Sequence, residues 1–214
     1  MHPPALLYAS PSALVVDKPA GLPVYAGRAG GASVESFFPH WRQGKNGPWA
    51  VHRLDQDTSG CLLIARKKSF LLEAQALMAQ GKAEKLYWAV VQGVPHGEQG
   101  RIDAPLTKVT RGRHWRMEVS PQGDAASTLW RVLGRVNNTT LIEFTLLTGR
   151  THQIRAHAAQ WGHPVLGDPV YGQAGGMMCL MARSLSLPTA TPIFAQAQPP
   201  AHMRGMVEKC LSGL

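Results

Sequence analysis

Segments with strand character outnumber helical segments along this chain, and this imbalance restricts the folds that it can adopt. Residues 85–93 are rich in aromatic and β-branched side chains, which favour strands. Further strands are predicted near residues 115–119, 127–136 and 140–147, with a hairpin turn at Asn137 and Asn138. Many strands broken by few helices predict an α+β fold, with a largely antiparallel mixed sheet flanked by a few helices and loops.

Three segments are predicted to form the helices. Residues 69–81 begin with Ser69 as the N-cap. The apolar side of this helix is predicted to consist of Leu72, Leu77 and Met78. Residues 151–161 are predicted to form a second helix, and a short final helix is predicted near residues 203–212. The Pro-, Ala- and Gln-rich segment 185–201 is expected to cross the surface before that last helix.

The length of the chain limits the number of domains, and its net charge indicates the class of its binding partner. With 214 residues, of which 44% are hydrophobic, the chain is predicted to form one domain over residues 1–214. The net charge of +9 and the pI of about 9.9 favour a polyanionic partner, with nucleic acid as the leading candidate. A basic pI also arises from simple solubility requirements or from a compositional bias toward arginine.

The cysteines and the amino terminus indicate the compartment. Cys61, Cys179 and Cys210 are far apart and form no CxxC pair, so a reducing cytosol is expected. The first residues lack a secretory signal, and no stretch approaches the roughly 20 apolar residues that span a bilayer. The sequence therefore predicts a cytoplasmic protein without a membrane partner.

Residues 52–60 combine charge, turn-forming residues and a central carboxylate between two apolar runs. The segment is predicted to be a loop that leads into a buried strand beginning near Cys61. Catalytic residues often lie on loops that a rigid sheet anchors. The residue types alone are equally compatible with an ordinary polar turn, in which Asp57 or Ser59 bonds its own backbone and Gly60 has a positive φ angle.

Several segments together resemble the RluA-like pseudouridine synthases. The string His-Arg-Leu-Asp-x-x-Thr-Ser-Gly of that family's central motif matches residues 52–60 at all seven specified positions. The other matching segments, in the family's order, are residues 15–22, 85–89, 148–157 and 162–168. The resemblance implies a catalytic domain whose motif-bearing core covers about residues 12–190, without the amino-terminal RNA-binding domain of many relatives.

The resemblance assigns the catalytic roles to Asp55, Tyr87 and Arg155. Asp55 matches the essential aspartate, which can act as a nucleophile at the ribose, as a nucleophile at the pyrimidine, or as a base toward a ribose proton. Arg155 matches the arginine that pairs with this aspartate, and its planar fork suits a carboxylate. Tyr87 matches a tyrosine that lies against the target base and takes part in proton transfer.

Four further positions are implied to bind substrate. Arg53 matches a residue that fills the space left by the extruded nucleotide, or else contacts a phosphate. Ile154 matches an apolar residue of the uracil pocket, and His52 and Thr58 come from the central motif. Two positions depart from the family: Met181 stands where relatives often have histidine, and Asp124 stands where they commonly have lysine.

No metal or cofactor is expected. His152, His157 and His163 cluster in sequence, but their spacings do not place them on one helical face, and no cysteine or glutamate pattern accompanies them. The isomerisation that the resemblance implies is redox-neutral and transfers no group to or from a cofactor.

The resulting hypothesis is an RNA pseudouridine synthase that acts as a monomer on uridines in tRNA or rRNA, with no protein partner implied. The alternative is a non-catalytic RNA-binding or RNA-folding module with the same fold. A third hypothesis, hydrolysis of a nucleoside bond with Asp55 as nucleophile, predicts free uracil as product.

Overall fold

The strands and helices of the chain are distributed over two units. This computed structural model describes residues 2–27, 30–112 and 114–213. The first unit comprises Met1–Lys85 and Met181–Gln198, and the second comprises Leu86–Leu180 and Pro199–Leu214. The α+β class predicted from the sequence is confirmed, while a single domain over residues 1–214 stays a prediction.

The elements are numbered along the chain. The strands are β1 (Leu6–Ala9), β2 (Ala13–Lys18), β3 (Trp49–Ala50), β4 (Ser59–Ala65), β5 (Glu84–Gln92), β6 (Gln99–Asp103), β7 (Leu106–Arg111), β8 (His114–Val119), β9 (Ser127–Val136), β10 (Thr139–Leu146), β11 (Leu180–Leu187) and β12 (Ile193–Gln196). The helices are α1 (Phe38–Trp41), α2 (Lys68–Ala79), α3 (Gln153–Gln160) and α4 (Ala201–Ser212), with a 3₁₀ turn at Val34–Phe37.

Strand β4 forms the centre of the first unit. It pairs antiparallel with β2 and β3, and parallel with β11, so the sheet is mixed. Every residue of β4 is buried, which explains its continuous apolar run, because a strand covered on both faces needs no polar alternation. The predicted loop before a buried strand is therefore confirmed.

Gly60 allows β4 and β11 to approach each other closely. Its φ angle is +101°, and a Cβ atom at this position would collide with the backbone carbonyl of Ala182. We expect Gly60→Ala to lower the free energy of unfolding by about 2 kcal/mol or more, because both the backbone angle and the space are unfavourable. Denaturant unfolding would measure the change.

Gly44 provides the control for this substitution. A Cβ atom there would meet no neighbour, so Gly44→Ala should change stability by at most about 0.5 kcal/mol. Equal stabilities of the two variants would show that the contact between β4 and β11 tolerates a methyl group.

The second unit contains an antiparallel sheet in the order β5-β10-β9-β6. Its core includes Val90, Leu141, Ile142 and Phe144, none of which is exposed. The predicted hairpin between the last two long strands is confirmed, since Val136 pairs with Thr139 around the turn. Strands β7 and β8 form a separate antiparallel hairpin.

Two local predictions were wrong. Helix α2 begins at Lys68 with Lys67 as its N-cap, and its buried residues are Phe70, Leu71 and Ala74, whereas Leu72 is exposed. The helix predicted over 69–81 is present at Lys68–Ala79, and Leu77 and Met78 are half-buried, but the predicted N-cap Ser69 and the placement of Leu72 on the apolar side were wrong. Segment 185–201 does not simply cross the surface, because β11 continues to Leu187 and pairs with β12, in which alternate residues are buried.

Candidate active site

Asp55 lies at the start of a tight turn between β3 and β4. The backbone N–H of Thr58 donates to the carbonyl oxygen of Asp55 at 3.1 Å, which closes the turn. Asp55 is partly exposed, whereas Leu54 before it and Thr58 after it are buried and anchor the turn on both sides. Ser59 belongs to β4, so the turn spans residues 55–58.

A buried lysine holds this turn in the first unit. Lys18 is fully buried, and its Nζ donates to the carbonyl oxygens of Pro19 (3.0 Å), Leu22 (2.7 Å) and Gln56 (2.8 Å). Burial lowers the pKa of Lys18 from 10.5 to about 8, although the charges of Asp57 and Asp55 act in the opposite direction. A protonated Lys18 thus uses all three of its donors to fix the backbone next to Asp55.

His52 supports the same turn from its other end. Its Nε2 accepts a hydrogen bond from the backbone N–H of Leu63 at 3.1 Å. Burial, followed by the charge of Lys85, lowers the pKa of His52 to about 4, against a smaller opposite effect of a backbone hydrogen bond at Arg53. The neutral ring is therefore the form that serves as an acceptor in the folded protein.

This arrangement predicts an acid-labile contribution to stability. The folded pKa of His52, about 4, lies below its ordinary value of 6.5, so between these pH values the unfolded chain binds more protons than the folded chain. The free energy of unfolding should therefore fall as the pH is lowered from 6.5 toward 4. In His52→Gln, which offers a carbonyl acceptor that does not titrate, denaturant unfolding should show a smaller loss over this range.

His96→Gln makes the same exchange of side chains at an exposed position and serves as the control. His96→Gln should lose stability with acid as the wild type does. If His52→Gln and His96→Gln follow the same pH dependence, the bond to Leu63 does not require a neutral His52.

Arg155 lies on α3 in the second unit and is held by a buried carboxylate. Its Nε donates to Asp168 Oδ2 at 2.7 Å, and its Nη2 donates to Asp168 Oδ1 at 2.9 Å. The guanidinium carbon also lies 5.2 Å from the centre of the Tyr171 ring. Arg155 is 4% exposed and Asp168 is fully buried, so solvent screens this pair little.

Asp168 remains ionised because several donors surround it. Burial alone would raise its pKa, but the hydrogen bond and charge of Arg155 and the backbone N–H groups of Val170 and Tyr171 together lower it. Those N–H groups donate to Asp168 Oδ1 at 2.9 and 3.1 Å. Both oxygens of Asp168 are thus engaged, and the loop 168–171 is fixed together with the guanidinium.

A hydrogen-bonded network orients α3 itself. Gln153 Nε2 donates to Thr128 Oγ1 at 2.9 Å, and the Thr128 hydroxyl lies 2.9 Å from His157 Nδ1. His157 Nε2 lies 2.9 Å from the carbonyl oxygen of Ala104, which can only accept, so Nε2 carries the proton and Nδ1 accepts from Thr128. Burial lowers the pKa of His157, against weaker opposite effects of Ala104 and Asp103, which favours this neutral form.

The remaining predicted residues of the second unit are both buried. Tyr87 is 7% exposed and lies on β5 opposite Phe144 of β10. Ile154 is 4% exposed and lies on α3 next to Arg155. Burial of Ile154 suits either an apolar pocket wall or ordinary core packing.

The predicted site residues fall in both units of the chain. His52, Arg53, Asp55 and Thr58 belong to the first, and Tyr87, Ile154 and Arg155 belong to the second. The side chain of Arg53 is exposed at the surface of the first unit. The pairing of Arg155 with Asp55 stays a prediction, and the described contacts of Arg155 include those with Asp168 and Tyr171.

Asp168, Tyr171 and Lys18 are the residues that sequence reasoning missed. Asp168 ends one of the matched segments and Lys18 lies inside another, but the resemblance assigns a role to neither. A carboxylate thirteen positions after an arginine carries no periodic signal of contact. Only the chain reversal between α3 and the loop 168–171 brings these charges together.

The two departures from the family pattern differ in their surroundings. Met181 is fully buried in β11, where it pairs with Ser59 of β4. Asp124 is exposed and lies 3.7 Å from Arg150, measured between carboxylate oxygen and guanidinium nitrogen. An aspartate at position 124 therefore offsets a nearby positive charge.

The histidines singled out in the sequence have protein partners. His152 Nδ1 lies 3.0 Å from the hydroxyl of Tyr171, and His163 Nδ1 lies 2.9 Å from the carbonyl oxygen of Gln92. Among the described residues, no group of three or more histidine, cysteine, aspartate or glutamate side chains is arranged to hold a metal ion. Across residues 2–27, 30–112 and 114–213, no helix has the length and apolar character needed to span a bilayer.

Comparisons with known proteins agree on one family. Residues 12–160 match the family model described as RNA pseudouridylate synthase. An uncharacterized RNA pseudouridine synthase of Zymomonas mobilis is 40% identical over 204 residues, which cover 91% of this chain and 93% of that protein. The ribosomal large subunit pseudouridine synthase D of the same bacterium is 39% identical over 170 residues, which cover 75% of this chain and 53% of that protein.

A solved structure extends the likeness to the fold. Human RNA pseudouridylate synthase domain containing 4 matches with a TM-score of 0.82, covering 97% of this chain and 93% of its own, at 22% identity. The family model spans more than half of the sequence, and the bacterial relative matches nearly end to end. On these matches, the chain belongs to the RNA pseudouridylate synthase family.

Proposed function

We propose that this protein converts uridine to pseudouridine in tRNA or rRNA, with Asp55 as the essential carboxylate. The observation that carries the proposal is the construction of the Asp55 turn, in which a buried Lys18 spends all three donors on backbone carbonyls. A solvated surface turn has no need of such support. An RNA substrate agrees with family membership and with the net charge of +9.

Ribosomal RNA is one supported choice of substrate. The relative from Zymomonas mobilis that shares 39% identity is named a ribosomal large subunit pseudouridine synthase. This chain spans about half of that relative's length, so the preference for rRNA or tRNA belongs to the proposal.

The reaction exchanges one bond to the ribose for another. The bond between N1 of uracil and C1′ breaks, a bond between C5 and C1′ forms, C5 loses its proton and N1 gains one. We assign Asp55 to glycosidic bond cleavage, as nucleophile or base, and Arg155 to stabilising the ionised carboxylate. Tyr87 is assigned to the face of the base and its proton transfer, and Arg53 to the space of the extruded nucleotide.

Release of tritium tests the activity directly. RNA labelled with tritium at C5 of uridine, taken from a strain that lacks this protein, should release the label into water when the purified chain is added. Release from no cellular RNA would contradict the proposed activity, and free uracil as a product would indicate hydrolysis instead. Binding of the RNA without release would favour a non-catalytic binding module.

The target uridine and the state of the protein need separate measurements. Sequencing of pseudouridine in RNA from the wild type and from the deletion strain should reveal one or a few positions that depend on this chain. We propose that the protein acts in the cytoplasm as a monomer. Sedimentation at micromolar concentration would contradict the monomer if it gave twice the mass of 23.2 kDa.

A further inference from the structure

The β7–β8 hairpin of the second unit exposes a charged face. Residues two apart in a strand share a face, and Arg111 pairs with His114 while Val109 pairs with Arg116. Arg111, His114 and Arg116 are exposed, and Glu118 lies on the same face two residues further along β8. The opposite face is anchored, because Met117 is buried in a cluster with Leu106, Ala126 and Ala156.

This charged face forms one wall of an open groove of about 330 Å³. The hairpin side of its lining includes the charged or polar Arg111, His114, Arg116 and Glu118 beside Val109 and Trp115, and the other side is Pro169 and Val170. Glu118 pairs with Arg111 at 3.2 Å and with Arg116 at 2.7 Å. Two guanidinium groups therefore share one carboxylate, which leaves an excess of positive charge in the groove.

These ion pairs leave the arginines available to a ligand. The side chain of Arg111 is 73% exposed and that of Arg116 is 47% exposed, so water screens both pairs. Exposed pairs of this kind contribute little free energy. A phosphodiester can bind either guanidinium in the bidentate geometry that carboxylates use, and the groove is open to solvent.

The second wall of the groove is the loop that holds Arg155. Pro169 and Val170 lie between Asp168 and Tyr171, which contact the Arg155 guanidinium. The hairpin is fastened to the same loop, because the backbone N–H of Met117 donates to the Tyr171 hydroxyl at 2.8 Å. A strand in the groove would therefore pass beside the anchor of Arg155.

We propose that this groove binds the phosphodiester backbone of the RNA substrate next to the target uridine, through Arg111 and Arg116. The inference rests on the proposed function and adds a contact that sets the position of the strand. Charge complementarity and the shared loop favour RNA over an acidic protein segment, since the groove adjoins the residues that hold Arg155. Glu118 limits the affinity by repelling the phosphates.

The test compares two pairs of arginines. In Arg111→Ala/Arg116→Ala, the affinity for a labelled oligouridylate should fall about tenfold or more at physiological salt. The slope of log Kd against log salt concentration should decrease by about 1.4, because each lost phosphate contact on a single strand contributes about 0.7. Glu118→Gln should tighten binding by about threefold, which a merely structural role of this face does not predict.

A matched control removes the same charge elsewhere. Arg101→Ala/Arg131→Ala takes away two exposed arginines that pair with Asp103 and Glu143 in the same unit. This variant should change the affinity by about twofold or less. Equal losses in the two double variants would overturn the groove and leave only a general effect of net charge.

Activity separates failure of the groove from failure of the proposed function. With tritium-labelled cellular RNA, Arg111→Ala/Arg116→Ala should raise KM and retain kcat within about threefold. If the wild type releases tritium and this variant has an unchanged KM and Kd, the groove proposal alone fails. If the wild type is inactive, the affinities for oligouridylate still show whether the groove binds RNA. If the double variant loses affinity only for an oligoglutamate probe, the groove binds an acidic protein instead.

Discussion

Asp55→Asn is expected to reduce tritium release from RNA by about a thousandfold or more while leaving RNA binding nearly intact. The amide is close in size to the carboxylate and keeps one acceptor oxygen, but it can act neither as a nucleophile nor as a base at neutral pH. Single-turnover rates at saturating RNA would measure the loss without a contribution from binding.

Asp57 supplies the control for this substitution, because it is a carboxylate of the same turn. Asp57→Asn removes the same charge beside Lys18 and should keep the rate within about fivefold of the wild type. Retention of full activity by Asp55→Asn would refute its catalytic role. A loss of equal size in both variants would point to the charge of the turn instead of to Asp55.

Asp168→Asn is expected to lower kcat by about a hundredfold, with a smaller effect on the KM for RNA. The asparagine still accepts from the backbone of loop 168–171 but cannot hold the Arg155 guanidinium as an ionised pair. A displacement of about 1 Å in a positioned group costs about this much in rate. Because a buried arginine then loses the Asp168 carboxylate, the free energy of unfolding should fall by about 3–5 kcal/mol.

Stability and catalysis can be separated at this pair. Asp168→Asn combined with Arg155→Met removes both charges and should recover part of the lost stability without recovering activity. Arg155→Lys keeps a charge opposite Asp168 and should fold, yet its ammonium cannot reproduce the paired geometry, so kcat should still be low. A fully active Asp168→Asn or Arg155→Lys would contradict a positioning role for the pair.

The elements that local sequence determines were predicted correctly. The hairpin of β9 and β10 follows from two β-branched runs joined by Asn137 and Asn138, and the left-handed backbone of Asn137 confirms why asparagine suits that turn. The buried strand β4 follows from an uninterrupted apolar run. In both cases the signal lies within about twenty residues of sequence.

The elements that depend on distant partners were missed. Strand β12 is short and follows a Pro-rich stretch, and it forms because β11 offers an edge with which it can pair. Likewise, the burial of Phe70 and Leu71 in place of Leu72 depends on which side of α2 faces β4, and the mixed composition of the helix leaves that choice open. Local propensity cannot identify contacts of this kind.

Some residues of the candidate site were found from the sequence, and others only from the structure. The motif around Asp55 identifies the carboxylate by resemblance, and the family pattern also selects Tyr87 and Arg155. The roles of Lys18 and Asp168 require the tertiary structure, since each acts through backbone or side-chain groups brought near by chain reversal. The resemblance therefore predicts which groups react, and the structure adds Lys18, which holds the Asp55 turn, and Asp168, which holds Arg155.

The hydrogen bonds of the network that orients α3 all run in one direction, from donor to acceptor. Gln153 donates a hydrogen bond to Thr128, Thr128 donates to His157, and His157 donates to the carbonyl oxygen of Ala104, where the series ends. If α3 rotated by one residue, or if the Gln153 side-chain amide turned around, two donors or two acceptors would face each other at one of these hydrogen bonds. These hydrogen bonds all point in one direction, so they fix the rotation of α3 about its own axis. The rotation of α3 in turn sets the direction in which Arg155 points.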